Sequence, residues 1–239
     1  MIFYYVRHGD PIYDPDCLTE LGHKQAAALA KRFTVYGLDE IYCSTSNRAK
    51  LTAEPTCKAL GLEKTLLDWT NEGHTFEGMS VRLEDGSRTW NFFLKDYLAK
   101  YNSPEVRALG DEWYTHPYFK DTRFAEEMAR IHRETDAFLL SLGYKHDRKN
   151  HSYEVVKDND KKVALFAHAG FGLSFLSSLL DIPYPSYCSH FDIAHTGVTV
   201  IDFGGKAGEI TYPKVLQHSN DSHLYKEGIM TGYNNSLFI

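Results

Sequence analysis

Residues 2–9 read Ile-Phe-Tyr-Tyr-Val-Arg-His-Gly, an apolar run that ends abruptly at an arginine and a histidine. A short, continuously apolar stretch of this kind predicts a buried strand. Arg7 and His8 would then lie at the carboxyl end of that strand. In open α/β sheets, ligands bind outside the carboxyl ends of the strands. The stretch therefore predicts both a fold class and the place of a binding site.

A second stretch repeats this pattern near the end of the chain. Residues 163–170 read Val-Ala-Leu-Phe-Ala-His-Ala-Gly, which predicts a central strand covered on both faces. His168 follows this strand directly, so we expect it to face the same crevice as His8. A helix predicted from Gly170 to Leu180 would begin near Ala169, and its free N–H groups favour an anion there.

The residues between these strands predict two helices and another strand. Thr19 can cap the first helix and Gly37 can end it. Residues 40–43 predict a short strand, after which Ser44 and Ser46 offer caps for a second helix.

Arg48 lies in the first turn of this second predicted helix, so it can project into the same crevice. The guanidinium group of arginine can hold two phosphate oxygens at once. Together with Arg7, His8 and His168 it would form a pocket for a tetrahedral dianion.

The remaining elements complete an alternation of strands and helices. Further strands are predicted at residues 65–69, 198–203 and 210–215, a hairpin at 152–156 and 162–166, and a helix at 124–142. This alternation predicts an α/β fold, a three-layer sandwich whose mostly parallel central sheet is flanked by helices. The length of 239 residues fits a single domain over residues 1–239.

Residues 73–121 have no clear periodicity and are rich in aromatic side chains. Stretches this long inside compact domains are usually functional or contain unrecognised short helices. We interpret the segment as a mostly helical insertion. Its aromatic side chains favour an insertion core over a ligand wall, although both roles stay open.

Composition excludes several classes of function. The formal net charge is −6 and no basic run exceeds two residues, so a nucleic-acid partner is not expected. The apolar runs are too short to span a membrane, and no signal-peptide core is predicted. The four cysteines form neither a disulfide framework nor a zinc motif. A cytoplasmic protein without a cofactor is expected, and a homodimer stays open.

Three motifs resemble those of the histidine phosphatase (phosphoglycerate mutase-like) superfamily. They are Arg-His-Gly at residues 7–9, Ser-x-x-x-Arg-Ala-x-x-Thr-Ala at 44–53, and His-Ala-Gly at 168–170. Their order and rough spacing match the superfamily over nearly the whole chain, except for residues 73–121. The resemblance implies a phosphoglycerate mutase-like fold, and it implies that residues 73–121 form a lid over the phosphate pocket.

The resemblance also implies roles for the matched residues. His8 would attack phosphorus and form a phosphohistidine, which water would then hydrolyse. Arg7, Arg48, His168 and the helix start at Ala169 would bind the transferred group and stabilise its charge. The implied enzyme is a histidine acid phosphatase-like phosphomonoesterase that acts on a small phosphorylated substrate and requires no metal.

The general acid is assigned less directly. The superfamily commonly supplies it from a carboxylate after the third strand, which makes Glu72 the first candidate and Glu77 the second. The loop after Gly9 departs from the usual superfamily pattern, because it carries Asp10 and then Asp14 where relatives have other polar residues. These two aspartates therefore remain alternatives.

Two other functions compete with hydrolysis. A phosphoglycerate mutase would need additional cations around a second phosphate, and the cations of residues 73–121 are dispersed. A catalytically inactive phosphate-binding module is the other alternative. His190 and His195 lack the matching ligands of a metal site, so a structural role is expected for both, with support of the site by His195 left open.

Overall fold

The computed structural model describes residues 1–233 and 237–239. The strands are β1 Ile2–Arg7, β2 Pro11–Ile12, β3 Cys17–Leu18, β4 Glu40–Ser44, β5 Lys64–Leu67, β6 Ser80–Arg82, β7 Arg88–Trp90, β8 Tyr144–Asp147, β9 Ser152–Val155, β10 Lys162–Ala167, β11 Val198–Asp202, β12 Ile210–Thr211 and β13 Lys214–Asn220. The α-helices are α1 Glu20–Tyr36, α2 Asn47–Leu60, α3 Glu72–Met79, α4 Lys95–Tyr101, α5 Pro104–Arg107, α6 Phe124–Ser141, α7 Ala169–Leu180, α8 Tyr184–His190 and α9 Ser222–Lys226. Short 3₁₀ turns lie at Asp68–Thr70, Asn91–Phe93, Gly110–Thr115 and Pro117–Phe119.

The central sheet has six strands in the order β13-β11-β1-β10-β4-β5. Strands β1, β10, β4 and β5 are parallel neighbours, whereas β11 runs antiparallel to β1 and to β13. Arg7 pairs with Ala167 in the β1–β10 register, so His8 and His168 each follow directly at the same edge of the sheet. The predicted α/β fold with a mostly parallel sheet is confirmed.

Both faces of the sheet are covered, because side chains of β1 alternate between two cores. Phe3 and Tyr5 pack into the core that contains Phe171 and Phe175 of α7. Tyr4 and Val6 pack into the opposite core, together with Phe33 of α1. The apolar run at residues 2–6 is continuous because each of its residues has a buried surface to contact.

The helix ends follow the predicted caps in part. The hydroxyl of Thr19 accepts a hydrogen bond from the Gly22 amide at 3.0 Å, and Gly37 ends α1 with a positive φ of 71°. Ser46 precedes α2 but its side chain makes no cap hydrogen bond. This hydroxyl has another partner, described below.

Residues 73–121 fold into short helices, 3₁₀ turns and the two-stranded ribbon formed by β6 and β7. Tyr101, Trp113 and Phe119 are buried, with ring centroids 5.3–5.4 Å apart. They form a core for this segment that continues onto Phe124 of α6. Trp90 and Phe92 are only partly buried and pack at the edge of this core.

Two predictions about strands outside the centre of the sheet are wrong. Residues 152–155 form no hairpin with residues 162–167, because both edges of β10 are already paired with β1 and β4. Strand β9 pairs instead with β8 and β12 in a separate three-stranded sheet. The strand predicted at 210–215 is divided into β12 and β13 around Pro213, which has no N–H to donate to a ladder.

Across residues 1–233 and 237–239, no helix combines the length and the apolar character needed to cross a membrane.

Candidate active site

His8 is buried at the carboxyl end of β1, where the sheet holds its backbone. Its amide donates to the carbonyl oxygen of Ala167 at 2.9 Å. Its Nδ1 lies 2.7 Å from the Gly9 carbonyl oxygen, which can only accept, so a hydrogen bond there requires the proton on Nδ1. This arrangement leaves the lone pair of Nε2 free to act as a nucleophile.

Gly9 allows the close packing of α1 against the loop that carries His8. A Cβ atom at Gly9 would lie 2.8 Å from the Gly22 carbonyl oxygen, a contact that the backbone of α1 cannot relieve without moving. The glycine of the Arg-His-Gly motif is therefore required by packing.

His168 lies at the corresponding end of β10, with its ring centroid 5.2 Å from that of His8. Its Nε2 contacts the hydroxyls of Ser44 at 2.8 Å and Ser46 at 3.1 Å. Its Nδ1 lies 3.7 Å from Glu72 Oε2. The two serines predicted as helix caps therefore orient an imidazole ring whose other nitrogen faces the carboxylate.

Arg48 is held at the start of α2 by two carboxylates. It donates to Asp16 Oδ1 at 2.8 Å and to Glu72 Oε2 at 2.9 Å. Asp16 Oδ2 also accepts from the Asn47 amide at 2.6 Å, so Asp16 satisfies the helix start where Ser46 does not. One loop carboxylate thus fixes both the helix start and the guanidinium.

Glu72 begins α3 and reaches the N-terminus of α7. Its Oε1 accepts a hydrogen bond from the Gly170 amide at 2.9 Å. The carboxylate therefore receives one hydrogen bond from Arg48 and one from a helix start, the two kinds of donor that bind anions most strongly.

Arg7 is buried and held by backbone carbonyls. Its Nη1 donates to the carbonyl oxygen of Ile193 at 2.6 Å and to that of Tyr233. Its guanidinium, like Ala169 at the start of α7, lines the cleft that opens above His8.

This cleft has a volume of about 220 Å³. Its polar floor is formed by Arg7, His8, Glu72 and the start of α7. Its walls include aromatic side chains and one further carboxylate: Tyr13, Trp90, Phe92, Phe93, Asp192 and Tyr233. The cleft therefore combines a charged and polar floor with largely aromatic walls.

Burial controls the protonation of His8 and His168. Burial, followed by the charges of His168 and Arg7, holds the pKa of His8 well below its usual range. Burial, followed by Arg48, lowers the pKa of His168 in the same way. Both rings are therefore neutral at pH 7, which is the form that a nucleophilic histidine requires.

The other carboxylate candidates lie in different surroundings. Glu77 is exposed and does not line the cleft; it forms a surface ion pair with Arg123 at 3.4 Å. Asp14 is exposed in the loop. Asp10 lies close to the site, with Oδ1 3.6 Å from Nδ1 of His195.

His195 and His190 also differ in position. The His195 ring is buried 6.0 Å from the His8 ring, and burial lowers the pKa of His195 to about 2. His190 is exposed at the end of α8. His195 therefore lies beside His8, and the supporting role left open from the sequence stays a prediction.

The sequence matches a known protein family. The chain matches the family model of the histidine phosphatase superfamily (branch 1) over residues 3–215. The chain belongs to this superfamily. The three sequence motifs that resemble those of the superfamily meet at one edge of the sheet, where the sequence predicts them.

Solved structures of several proteins named as phosphatases share this fold. The phosphoserine phosphatase of Entamoeba histolytica, solved with 3-phosphoglyceric acid, has a TM-score of 0.59 and 17% identity, covering 93% of this chain and 98% of that chain. A mycobacterial glucosyl-3-phosphoglycerate phosphatase has a TM-score of 0.57 and 18% identity, covering 90% and 96%. A putative alpha-ribazole-5'-P phosphatase from Escherichia coli has a TM-score of 0.57 and 16% identity, covering 92% and 98%. No curated protein matches the sequence.

Several residues of this superfamily member were not predicted as part of the site. Asp16 and Tyr13 come from the loop after β1, and the Arg48 guanidinium lies 5.3 Å from the Tyr13 ring centroid. Asp192 lies on the segment after α8. None belongs to the three motifs or directly follows a strand predicted from the sequence, so no local pattern indicated them.

The site also contains three atoms that can coordinate a metal ion. Ligand atoms of His8, Glu72 and His168 lie within 4.8 Å of one another. Arg48 hydrogen-bonds to the same carboxylate, and Arg7 lines the same cleft. Two fixed positive charges beside the cluster oppose a divalent cation and favour an anion.

Proposed function

We propose that this protein is a phosphatase that hydrolyses small phosphate monoesters through a phosphohistidine on His8, without a metal. The observation that carries the proposal is the His8 ring. Its Nδ1 is held by the Gly9 carbonyl, its pKa is lowered by burial, and it faces a cleft floored by Arg7 and the start of α7. The phosphatase names of the similar structures agree with this reading.

The first step forms a bond between His8 Nε2 and phosphorus and breaks the bond from phosphorus to the ester oxygen. The equatorial oxygens gain interactions with Arg7, Arg48 and the start of α7. Such preorganised charges account for most of the catalysis in phosphoryl transfer. The proton stays on Nδ1 and is donated in a hydrogen bond to the Gly9 carbonyl oxygen, which stabilises the positive ring of the phosphohistidine.

Glu72 is proposed as the proton donor to the leaving oxygen. Its carboxylate hydrogen-bonds to Arg48 and to the Gly170 amide, the same groups that attract phosphate. A bound dianion would compete for these donors and place negative charge beside Glu72.

In the second step the ionised Glu72 takes a proton from water. The hydroxide oxygen bonds to phosphorus as the N–P bond breaks, which releases inorganic phosphate and neutral His8. The same residue acts as acid and then as base, as microscopic reversibility requires for two related displacements.

Phosphoglycerate mutase activity is the second candidate, and the positions of the basic side chains in residues 73–121 do not favour it. A bisphosphate intermediate needs cations for its second phosphate. None of the basic side chains of residues 73–121 lines the described part of the cleft: Arg82, Arg88, Lys95, Lys100, Arg107 and Lys120. Arg88, for example, donates to the Glu77 carbonyl oxygen at 2.6 Å.

The test is to trap the intermediate. The protein is mixed with ³²P-labelled p-nitrophenyl phosphate, quenched without acid and mapped by mass spectrometry. Label on His8 is expected, with none in His8→Ala and full labelling in His74→Ala, a surface control. Label on another residue would contradict the mechanism, and no phosphate release at all would indicate an inactive binding module.

Two further measurements address the metal and the mutase. EDTA should leave the hydrolysis rate unchanged, because the proposed charges come from arginines. Loss of activity in EDTA that a divalent metal restores would place an ion on His8, Glu72 and His168. Isomerisation of 3-phosphoglycerate in the presence of 2,3-bisphosphoglycerate would establish the mutase instead.

A further inference from the structure

One wall of the cleft is a continuous row of aromatic rings that starts at the phosphate site. Trp90 packs on Gly170 so closely that a Cβ atom there would lie 2.5 Å from the indole ring. Phe92 stacks on Trp90 with centroids 5.3 Å apart, and Phe93 meets Phe92 edge-on at 4.8 Å. The row therefore runs outward from the helix start that receives Glu72.

These rings are not simply part of the insertion core. Tyr101 and Trp113 of that core are 0% and 1% exposed, whereas Phe93 is 55% exposed and Trp90 only partly buried. Tyr13, also 55% exposed, lies on the same cleft from the loop after β1. Exposed aromatic faces beside a polar floor are typical of a ligand wall.

The charges around the cleft limit which charged groups a substrate can carry. Arg7 is the one cation among the described lining residues, and its Nη1 is already bound to two carbonyls. Arg48 is paired with Asp16 and Glu72. Asp192 adds a carboxylate on the wall, fixed by a 2.7 Å hydrogen bond from the Ile193 amide. A second anionic group on the substrate would find no free cation there.

We infer that the preferred substrates are monophosphates of aromatic alcohols that carry no second anionic group. The ring of the alcohol would stack on Trp90 and Phe93, and Asp192 would exclude carboxylates and favour amines or hydroxyls. Aromatic faces also attract cations, so an amine on the ring is compatible with the wall. The inference rests on the proposed phosphatase function and adds the class of leaving group.

The first test compares kcat/KM for benzyl phosphate and cyclohexylmethyl phosphate, which have equal carbon counts and similarly basic leaving groups. Aromatic pairing predicts a preference for benzyl phosphate of about 2- to 10-fold. Trp90→Leu and, separately, the exposed Phe93→Leu should reduce that preference toward one. Tyr118→Leu, an exposed aromatic of the same segment that does not line the cleft, should leave it unchanged.

The second test varies the charge on the ring. Hydrolysis of 4-carboxybenzyl phosphate should be about fivefold or more slower in kcat/KM than that of benzyl phosphate. 4-(Aminomethyl)benzyl phosphate should match or exceed benzyl phosphate. Asp192→Asn should narrow the difference between the carboxylate and the amine.

The outcomes distinguish a wrong substrate preference from a wrong phosphatase function. Turnover of the whole series at equal rates, or an unchanged benzyl preference in both Trp90→Leu and Phe93→Leu, overturns the inference and leaves the phosphatase standing. A preference for 4-carboxybenzyl phosphate overturns it as well. Failure to hydrolyse any of these esters, with no label on His8, would remove the proposed function itself.

Discussion

Two buried clusters of this protein use the same residue types in opposite ways. The first, the proposed catalytic cluster, comprises His8, His168, Glu72 and Arg48. The second, here called the His146 cluster, comprises Asp136, His146, Arg148 and Asp181 on α6, β8 and the ends of β8 and α7. Each combines imidazole, carboxylate and guanidinium groups and borders a cleft, but only in the second are both ring nitrogens of a histidine paired with carboxylates.

In the His146 cluster every ring nitrogen has a fixed partner. Nδ1 of His146 lies 2.9 Å from Asp136, and Nε2 lies 2.8 Å from Asp181. The ring also stacks on Tyr153 with centroids 4.0 Å apart. Burial alone would lower the pKa of His146, but the two carboxylates raise it above its usual value.

In the proposed catalytic cluster, the imidazole of His168 lacks one of its two hydrogen bonds among the described residues. Nδ1 of His168 has no hydrogen-bond partner within the described part of the chain, and the pKa of His168 is lowered by burial and by Arg48. Polar groups whose hydrogen bonds are all made stabilise a fold. Neutral groups with a free hydrogen-bonding position can bind and react. The difference between the clusters therefore indicates which one carries chemistry, and four predictions test it.

The largest effect is expected at the nucleophile. His8→Ala should lower kcat for p-nitrophenyl phosphate by about 10³-fold or more, because the covalent route is lost. The folded structure should persist, as shown by an unchanged near-UV circular dichroism spectrum. His146→Leu, measured under conditions where it is folded, should keep kcat within about twofold. Equal losses in both variants would erase the distinction between the clusters.

The next effect concerns the proton donor and depends on the leaving group. Glu72→Gln should slow hydrolysis of alkyl phosphates by about 10²–10⁴-fold, since a poor leaving group needs the proton. It should slow p-nitrophenyl phosphate much less. Glu77→Gln serves as the matched control and should show no split. A split in the Glu77 variant alone would make Glu77 the acid, and a split in neither would direct attention to Asp10 and Asp14.

A change of stability should distinguish the second cluster. His146→Leu removes the partner shared by Asp136 and Asp181, and we expect it to lower the free energy of unfolding by about 2–4 kcal/mol. Urea denaturation measures this loss. Glu134→Gln, which breaks an exposed pair with Arg133, should change stability by less than about 1 kcal/mol. A loss at His146 no larger than at Glu134 would show that the cluster is not stabilising.

The smallest effect is the pH dependence of these stability differences. The pKa of His8 is lowered in the folded state, so its contribution is complete above the unfolded pKa near 6.5 and is lost as pH falls. His146, whose folded pKa is raised, contributes below that value and loses its contribution as pH rises through the folded pKa.

Urea denaturation at pH 5, 6.5 and 8 therefore gives opposite slopes for two variants. His8→Ala should gain stability relative to the wild type at pH 5, by up to about 1.4 kcal/mol per pH unit below 6.5. The deficit of His146→Leu should be largest at pH 5 and shrink at pH 8. Parallel slopes would contradict the assigned protonation states.

The sequence predicted the central sheet well and the peripheral strands poorly. Strands β1 and β10 were predicted because each is continuously apolar and therefore central, whatever its neighbours are. Residues 152–155 carry no comparable pattern. Because both edges of β10 are occupied in the larger sheet, β9 pairs with β8 and β12 in a separate sheet. The predicted hairpin failed for that reason.

The sequence by itself determined which residues end the parallel strands, and hence that Arg7, His8 and His168 share one edge. Local order suffices there because a strand delivers the next residue to a known place. Only the tertiary structure decided that Asp16 holds Arg48, that Glu72 caps α7, and that Trp90 covers Gly170. Those contacts join residues 32, 98 and 80 positions apart. Their partners are chosen by how loops and layers pack, a choice that no periodicity along the chain encodes.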